Sequence, residues 1–498
     1  MSIQVELVLL IVSLLFFASI IVSKASSKLG VPVLLLFLLV GMVFGEDGLG
    51  ISFDSIRAAQ AIGTVALCVI LFSGGMDTKL DDIKPVLGPG IMLATVGVFV
   101  TAFATGFIIW LMMEKSSLGG SMGLLASLLL SSTMSSTDSA SVFSVLRSKG
   151  LNLKHRLKPT LELESGSNDP MAYILVITFI SLINTDGSPH YWEAVVILCV
   201  QLVVGALAGL VLGKGMVWLI NKIKIDNPSL YPILVLTSCI FIFAVTFFMR
   251  GNSYLAVYIG GLVFGNTPFV HKRSTRNFFN GVSWLGQLTM FLTLGLLVSP
   301  SQLTWRGVIL PSLIISGVMI FITRPLSVFL SLIPFKGFGV SDKLFISWCG
   351  LRGAVPIIFA ILCRAENVPY CNDIFNVVFV CTLLSLVLQG SSLTLVGKWL
   401  NLADEPIPEP FISNFDIEFQ EEIKSATFEI EITPQILQKG CRLMDYQIPE
   451  NTLVIMVKRD NTYFVPTGKT HLLLGDKLMV ISDNDEALKD SLKKLGVD

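Results

Sequence analysis

Long apolar runs follow one another from residue 4 to residue 399, and no water-soluble fold can bury them all. A helix needs about 20 mostly apolar residues to cross roughly 30 Å of hydrocarbon. Runs that reach or approach that length fall at 4–23, 31–45, 60–75, 86–113, 118–146, 159–184, 192–220, 229–249, 253–267, 277–299, 307–334, 342–363 and 373–399, thirteen in all. Charged residues are 14% of the chain, against about 25% in soluble domains. The chain reads as a polytopic α-helical membrane protein.

Basic residues in the connecting loops set the expected orientation. One set of alternate loops holds sixteen: Lys24, Lys28, Lys79, Lys84, Arg147, Lys149, Lys154, Arg156, Lys158, Lys222, Lys224, Lys272, Arg273, Arg276, Lys336 and Lys343. The other set holds five: Arg57, Lys115, Arg250, Arg306 and Arg364. This bias puts the N-terminus outside and the C-terminus in the cytoplasm. The opening MSIQVELVLL lacks the basic start of a signal peptide, so the first run is expected to stay as a span. A net charge of −1 argues against a nucleic-acid partner.

The cysteines show no CxxC or zinc-type spacing. Cys68, Cys199, Cys239, Cys349, Cys363 and Cys381 fall in or at the ends of apolar runs, where they read as small packing residues. All four histidines (His155, His190, His271 and His471) lie outside the runs, so no intramembrane metal centre is expected.

Past the last run comes NLADEPIPEPF, an acidic, proline-rich linker over 401–424, and then the composition of a soluble domain over 425–498. ATFEIEI, TLVIMVKR and KLMVIS read as strands and DEALKDSLKKLG as a closing helix. Residues 1–400 are thus expected to be the membrane domain, followed by one small cytoplasmic α+β module.

Three runs carry polar residues at depth. The fifth contains SSTMSSTDSAS with Asp138 inside it. The sixth contains ESGSNDP, with Glu162 and Glu164 ahead of Asn168 and Asp169. The twelfth contains CGLRGAVP with Arg352, and the eleventh adds Arg324. A charge at bilayer depth costs at least about 2.5–3.5 kcal/mol and persists when it is paired or lines a wet cavity. A Glu164–Arg324 pair that merely locks helices is the plain reading of those two. Asp138 and Asp169 have no obvious matching cations.

On the sixth helix, residues four apart share a face, so Ser165 stacks with Asp169 and Glu164 with Asn168. Carboxylates, hydroxyls and carbonyls are the ligands that hard monovalent cations prefer. The hydroxyl-rich fifth run and the Gly-Leu-Arg-Gly-Ala-Val-Pro of the twelfth both look interrupted. Seven spans apart, they cross the bilayer in opposite directions. Two broken helices in oppositely inserted halves are the mark of an inverted-repeat transporter, and Arg352 would offset helix ends and carboxylates where they meet.

These three segments, STDSASVFSVLRSKGLN, ESGSNDPMA and GLRGAVP, resemble motifs of the monovalent cation:proton antiporter-1 family, the bacterial NhaP-type sodium or potassium/proton exchangers. The resemblance covers nearly all of the membrane region. It implies about 13 helices in inverted repeats, with two unwound helices that cross, in a homodimer in the cell (inner) membrane. Asp169 would bind cation and proton alternately, helped by Asp138, Thr137 and Ser165. Asn168 would bridge the unwound helix, and Glu164 and Arg324 would form a structural ion pair. An Asn ahead of the Asp resembles the electroneutral exchangers. The sequence departs from the family at Ser139, where Pro is usual, and at Ser73, where many relatives carry a carboxylate.

The tail, GCRLMDYQIPENTLVIMVKRDNTYFVPTGKTHLLLGDKLMVISD, resembles the C-terminal ligand-binding module (RCK type) of potassium-conductance regulators. That pairing leans toward potassium over sodium and implies a small regulatory ligand, such as a cyclic dinucleotide, at 425–498. No other cofactor is expected, and no enzymatic activity. An intramembrane aspartyl protease also needs two membrane carboxylates, but the chain lacks its Gly-x-Gly-Asp signature. Another solute transporter with the same tail would place basic or neutral groups where Asp138 and Asp169 stand.

Overall fold

A computed structural model describes residues 5–29, 32–51, 53, 55–115, 122–148, 152–154, 156–185, 191–404, 413–414, 426–432, 434–437, 440, 442–446, 452–459 and 462–482. The chain divides into two compact units, Met1–Glu405 and Pro406–Asp498.

The first unit is a helical membrane domain. It opens with α1 (Val5–Leu29), α2 (Val33–Phe44) and α3 (Ile56–Asp77), the last capped by Ser55, whose hydroxyl accepts the Ala58 N–H. A long segment follows as α4 (Leu80–Ile83), α5 (Leu87–Met92) and α6 (Val98–Lys115), with a wide π-type turn at Leu93–Gly97. Next come α7 (Leu124–Thr133), α8 (Ser139–Ser148), α9 (Leu157–Asn184), α10 (Tyr191–Lys222) and α11 (Leu230–Phe248). After these stand α12 (Ser253–Asn266) and α13 (Lys272–Leu296). The eleventh run opens with a π-type turn at Trp305–Ile309 and folds as α14 (Leu310–Val318) and α15 (Arg324–Ser331), joined by another at Met319–Thr323. The domain closes with α16 (Val340–Trp348), α17 (Val355–Ala365) and α18 (Cys371–Trp399). Among the described residues eight helical segments are long and apolar enough to cross a membrane, and four shorter apolar helices (α2, α7, α12 and α17) accompany them.

Apolar side chains cover the outside as well as the core. Phe17, Ile21, Val211 and Phe248 are exposed, as expected of surfaces that face lipid rather than water. Within, close approach needs small residues. A Cβ on Gly261 would lie 2.3 Å from the Phe72 carbonyl oxygen, so α12 and α3 pack backbone to backbone. Of the six cysteines read as packing residues, Cys68, Cys239, Cys349, Cys363 and Cys381 are buried. Cys199 departs from that reading: it is exposed on α10, a helix with most of its surface turned outward. A short antiparallel pair, β1 (Asn152–Leu153) with β2 (Ala403–Asp404), ties the segment ahead of α9 to the end of α18.

Among the described residues the second unit is a five-stranded antiparallel sheet. Its strands are β3 (Ser413–Asn414), β4 (Ala426–Glu431), β5 (Thr452–Arg459), β6 (Thr462–Phe464) and β7 (Lys477–Ser482), in the order β3-β4-β7-β5-β6. The short helix α19 (Pro434–Leu437) follows β4. Ile430, Val457, Leu478 and Val480 share its core with Ile436. Strands expected from alternation thus form, while the helix expected over DEALKDSLKKLG lies outside the described residues, as does most of the linker, of which 401–404 and 413–414 are described.

Candidate functional site

Two helices break at the same place. Between α7 and α8, residues 134–138 leave helical geometry, and between α16 and α17, residues 349–354 do so. The sequence supplies the cause in each case. Hydroxyls of Ser132 and Thr133 donate back to the carbonyls of Leu128 and Leu130 at 2.7 Å, and Ser135 to Ser132 at 2.8 Å. These local bonds compete with helix continuation and satisfy the last carbonyls of α7. In the second break Gly350 and Gly353 weaken the helix, and Pro356 sits in the first turn of α17, where its missing N–H costs nothing.

The breaks cross each other. Asp138 donates its backbone N–H to the Leu351 carbonyl at 2.8 Å. One residue on, the Arg352 guanidinium reaches back to the Met134 carbonyl and to the Ser136 carbonyl, the latter at 2.7 Å. A cation at the carbonyl end of α7 opposes the negative end of the helix dipole. Arg352 also donates its N–H to Ser385, itself bonded to Gln389, which donates to the Trp348 carbonyl. Asp138 stands at the head of α8, where its carboxylate accepts the Ser141 N–H at 3.2 Å and hydroxyl at 2.6 Å, as an N-capping residue does.

Helix α9 is tied to the first break. Asn168 donates to the Thr137 hydroxyl at 2.6 Å, and Ser165 donates to the Thr137 carbonyl at 2.9 Å. Asp169 is the next residue. It is 8% exposed, and its Oδ1 has no hydrogen-bond partner among the described residues. Pro170 donates no N–H, so the Gly166 carbonyl one turn earlier has no helical partner. Ser136, Thr137, Asp138, Ser165 and Asp169 line one cavity of about 210 Å³, and Gly353 to Pro356 line it as well. The cavity runs on past Glu162 to Asp77, whose side chain is 46% exposed and is held by Arg276 at 2.7 Å.

Glu164 lies off this stripe, as the helical register requires. It pairs with Arg324 in a fully buried salt bridge away from the cavity. All eight residues singled out from the sequence (Thr137, Asp138, Glu164, Ser165, Asn168, Asp169, Arg324 and Arg352) therefore sit at or next to the crossing. Ser73 is buried and takes no part in the cavity wall, which passes through Gly74 and Asp77 instead. Sequence reasoning missed Tyr258, which lines the cavity from α12. Nothing in the bland run around it marks it out, since its neighbours in space lie nearly a hundred residues away.

Comparison with known proteins gives a consistent result. The profile of the family described as "Sodium/hydrogen exchanger, transmembrane" matches residues 12–399. The K+/H+ antiporter NhaP of Alkalimonas amylolytica is 39% identical over 480 residues, 96% of this chain and 81% of that one. The K+/H+ antiporter NhaP2 of Shewanella sp. (strain ANA-3) is 38% identical over 475 residues, 95% of this chain and 80% of that one. Among solved structures, the sodium proton antiporter MjNhaP1 of Methanocaldococcus jannaschii at pH 8 aligns with a TM-score of 0.66 at 24% identity. That alignment covers 79% of this chain and 99% of the other and bears on the fold alone.

Proposed function

Because the chain belongs to the sodium/hydrogen exchanger family, a transporter of monovalent cations against protons and not an enzyme, we propose that its exchange runs through the Asp169 carboxylate and that its cation is K+. The observation that carries this reading is the buried Asp169 on the wall of a cavity that it shares with Asp138, Thr137 and Ser165, with its Oδ1 left without a partner among the described residues. A buried carboxylate with an unpartnered oxygen is costly where water is scarce. It is relieved by a proton or by a cation, and one carboxylate cannot hold both. That exclusion is enough to couple the two fluxes.

Each neighbour then has a part. Asp138 supplies a second carboxylate, and Thr137 and Ser165 supply oxygens. Asn168 holds Thr137 in place through its amide and brings no charge, which fits one proton per cation. Arg352 steadies the broken α7 by taking its terminal carbonyls. Arg324 and Glu164 lock α9 to α15 without touching the ion. Movement of the bundle carrying the two broken helices against the remaining helices would expose the site to each side in turn.

Potassium is favoured because the relatives 38–39% identical over nearly the whole chain are described as K+/H+ antiporters. We place the N-terminus outside and the tail in the cytoplasm, on the bias of basic loop residues. A homodimer in the cell membrane, and a tail of RCK type that takes a small regulatory ligand at 425–498, complete the reading. The five-stranded sheet is compatible with the tail assignment.

Purified protein in liposomes, with a pH-sensitive dye inside and K+, Na+ or Li+ added, tests the central claim. Asp169→Asn is expected to fold and to abolish exchange with every cation. A normal rate in that variant would refute the role of Asp169.

A further inference from the structure

Tyr258 is 3% exposed, lines the cavity beside Asp169, and has a hydroxyl with no hydrogen bond among the described residues. Thr78 and Ser167 are its polar neighbours, and the Thr78 hydroxyl is already committed to the Gly74 carbonyl at 2.8 Å. A buried hydroxyl left without a partner is unfavourable and rare. This one is shut off from solvent although the residue forms part of the cavity wall.

The second observation is on α9. A Cβ added at Gly166 would lie 2.3 Å from Tyr258 Cε2, 2.6 Å from Cζ and 2.7 Å from the hydroxyl oxygen. The tip of the ring therefore rests directly on the Gly166 backbone, and glycine is what lets it do so. Register places that contact. Glu162, Ser165, Gly166 and Asp169 are spaced i, i+3, i+4 and i+7, so they form one stripe along the cavity wall. Gly166 stands between Glu162, toward the half-exposed Asp77 end, and Asp169 at depth. The tyrosine tip thus rests on the stripe between Glu162 and Asp169.

We propose that Tyr258 is the gate of the path to Asp169: its ring narrows the passage where the tip rests on Gly166, and its hydroxyl, freed as the ring gives way, is an oxygen that the passing cation borrows in place of water. This rests on Asp169 being the exchange site. It adds that a helix outside the two broken ones supplies a group that selects and meters the ion. α12 is held close to α9 by two further contacts that fix the position of the ring. Asn252 donates to the Pro170 carbonyl at 2.8 Å, and Tyr254 meets Tyr173 edge-on with centroids 4.7 Å apart.

The test uses full-length protein in liposomes with K+, Na+ and Li+ in turn. Tyr258→Phe, which removes one oxygen, is expected to raise the half-saturating cation concentration about three- to tenfold, unequally among the three ions, with the maximal rate held within about twofold. Gly166→Ala is expected to cut the maximal rate at least about tenfold by pressing the tip into the path, and adding Tyr258→Ala to it should recover most of that loss. A purely structural tyrosine would lower thermal stability and leave the ion preference alone. Unchanged half-saturation for all three ions in Tyr258→Phe overturns the proposal, and so does strict additivity in the Gly166/Tyr258 pair. If Gly166→Ala fails to fold, Tyr258→Phe alone decides. Asp169→Asn run alongside separates the two ideas: exchange surviving there defeats the site assignment, whereas a silent Tyr258→Phe with Asp169→Asn dead defeats only the gate.

Discussion

Asp138 and Leu351, one from each broken helix, are joined backbone to backbone by a 2.8 Å hydrogen bond. The two interruptions are therefore one structure. The amide freed by unwinding the first is satisfied by a carbonyl freed by unwinding the second. Arg352, next along, then neutralises the carbonyl end of α7. A buried backbone group without a partner costs about as much as a lost hydrogen bond, so neither break is stable alone. Residues 134–138 hold Asp138 and Thr137 in the cavity because residues 349–354 hold them there.

Gly353 tests this dependence. A Cβ there would stand 2.4 Å from Asp138 Oδ2 and 2.9 Å from Asp138 Cβ. Gly353→Ala should push the carboxylate out of position and reduce exchange about a hundredfold, the usual cost of displacing a reacting group by about an ångström. Flux in liposomes measures it, with monodispersity on size-exclusion confirming a folded protein. A rate within twofold of the parent would show that Asp138 has slack the geometry denies.

The Glu164–Arg324 pair predicts a different phenotype. Both side chains are 2–3% exposed, so removing one strands a buried charge, at about 3–5 kcal/mol. Glu164→Ala or Arg324→Ala alone should lower thermal stability sharply. Glu164→Leu with Arg324→Met should restore most of it, because a packed apolar pair of similar volume is often no worse than the ion pair. Melting curves of detergent-purified protein decide. A double variant as unstable as the singles would give the pair a role beyond cancelling charge.

Asn168 reaches Thr137 through a single donor. Its amide gives a 2.6 Å bond to the Thr137 hydroxyl, while its own carbonyl oxygen has no partner among the described residues. Asn168→Ala should free the unwound stretch and raise the half-saturating cation concentration about five- to tenfold, roughly the value of one buried hydrogen bond. Asn168→Ser, too short to reach, should behave alike. Unaltered half-saturation in both would show that Thr137 is held by Ser165 alone.

How much of this was legible beforehand follows from the range of each interaction. Hydropathy gave the helices because lipid demands it residue by residue, and the hydroxyl run at 131–137 and the glycines at 350 and 353 marked the breaks because helix propensity is local. The stripe from Ser165 to Asp169 followed from a four-residue spacing. The Leu351 carbonyl under Asp138 and the Tyr258 tip on Gly166 could not be read that way. Each joins segments about one hundred residues apart or more, and backbone carbonyls and a tyrosine among apolar neighbours carry no pattern that announces a partner. Cys199, exposed although it lies in an apolar run, shows the converse: in a membrane protein, apolar does not mean buried.

The tail makes a prediction of its own, independent of transport. Asp476, in the turn before β7, is 1% exposed. Its carboxylate accepts a fork from Arg459, at 2.9 and 2.7 Å, and the Leu473 N–H at 2.8 Å. Burial pushes this carboxyl upward, but the Arg459 and Leu473 bonds outweigh it and hold it below the ordinary value. A carboxylate depressed in the folded state binds its proton more readily when unfolded, so acid favours unfolding. The stabilisation is whole above about pH 5, declines as pH falls past the ordinary aspartate value of about 3.9, and is gone below the lowered folded value. Hydrogen exchange of β5 and β7 amides in the full-length protein should therefore accelerate, beyond its intrinsic pH dependence, over that acid window. Asp476→Asn should remove this acid-dependent component and lower tail stability at neutral pH by about 1–3 kcal/mol. If the variant keeps the same acid-dependent acceleration, another carboxylate governs the tail. If neither protein shows it, the Arg459 fork contributes nothing measurable to the folded sheet.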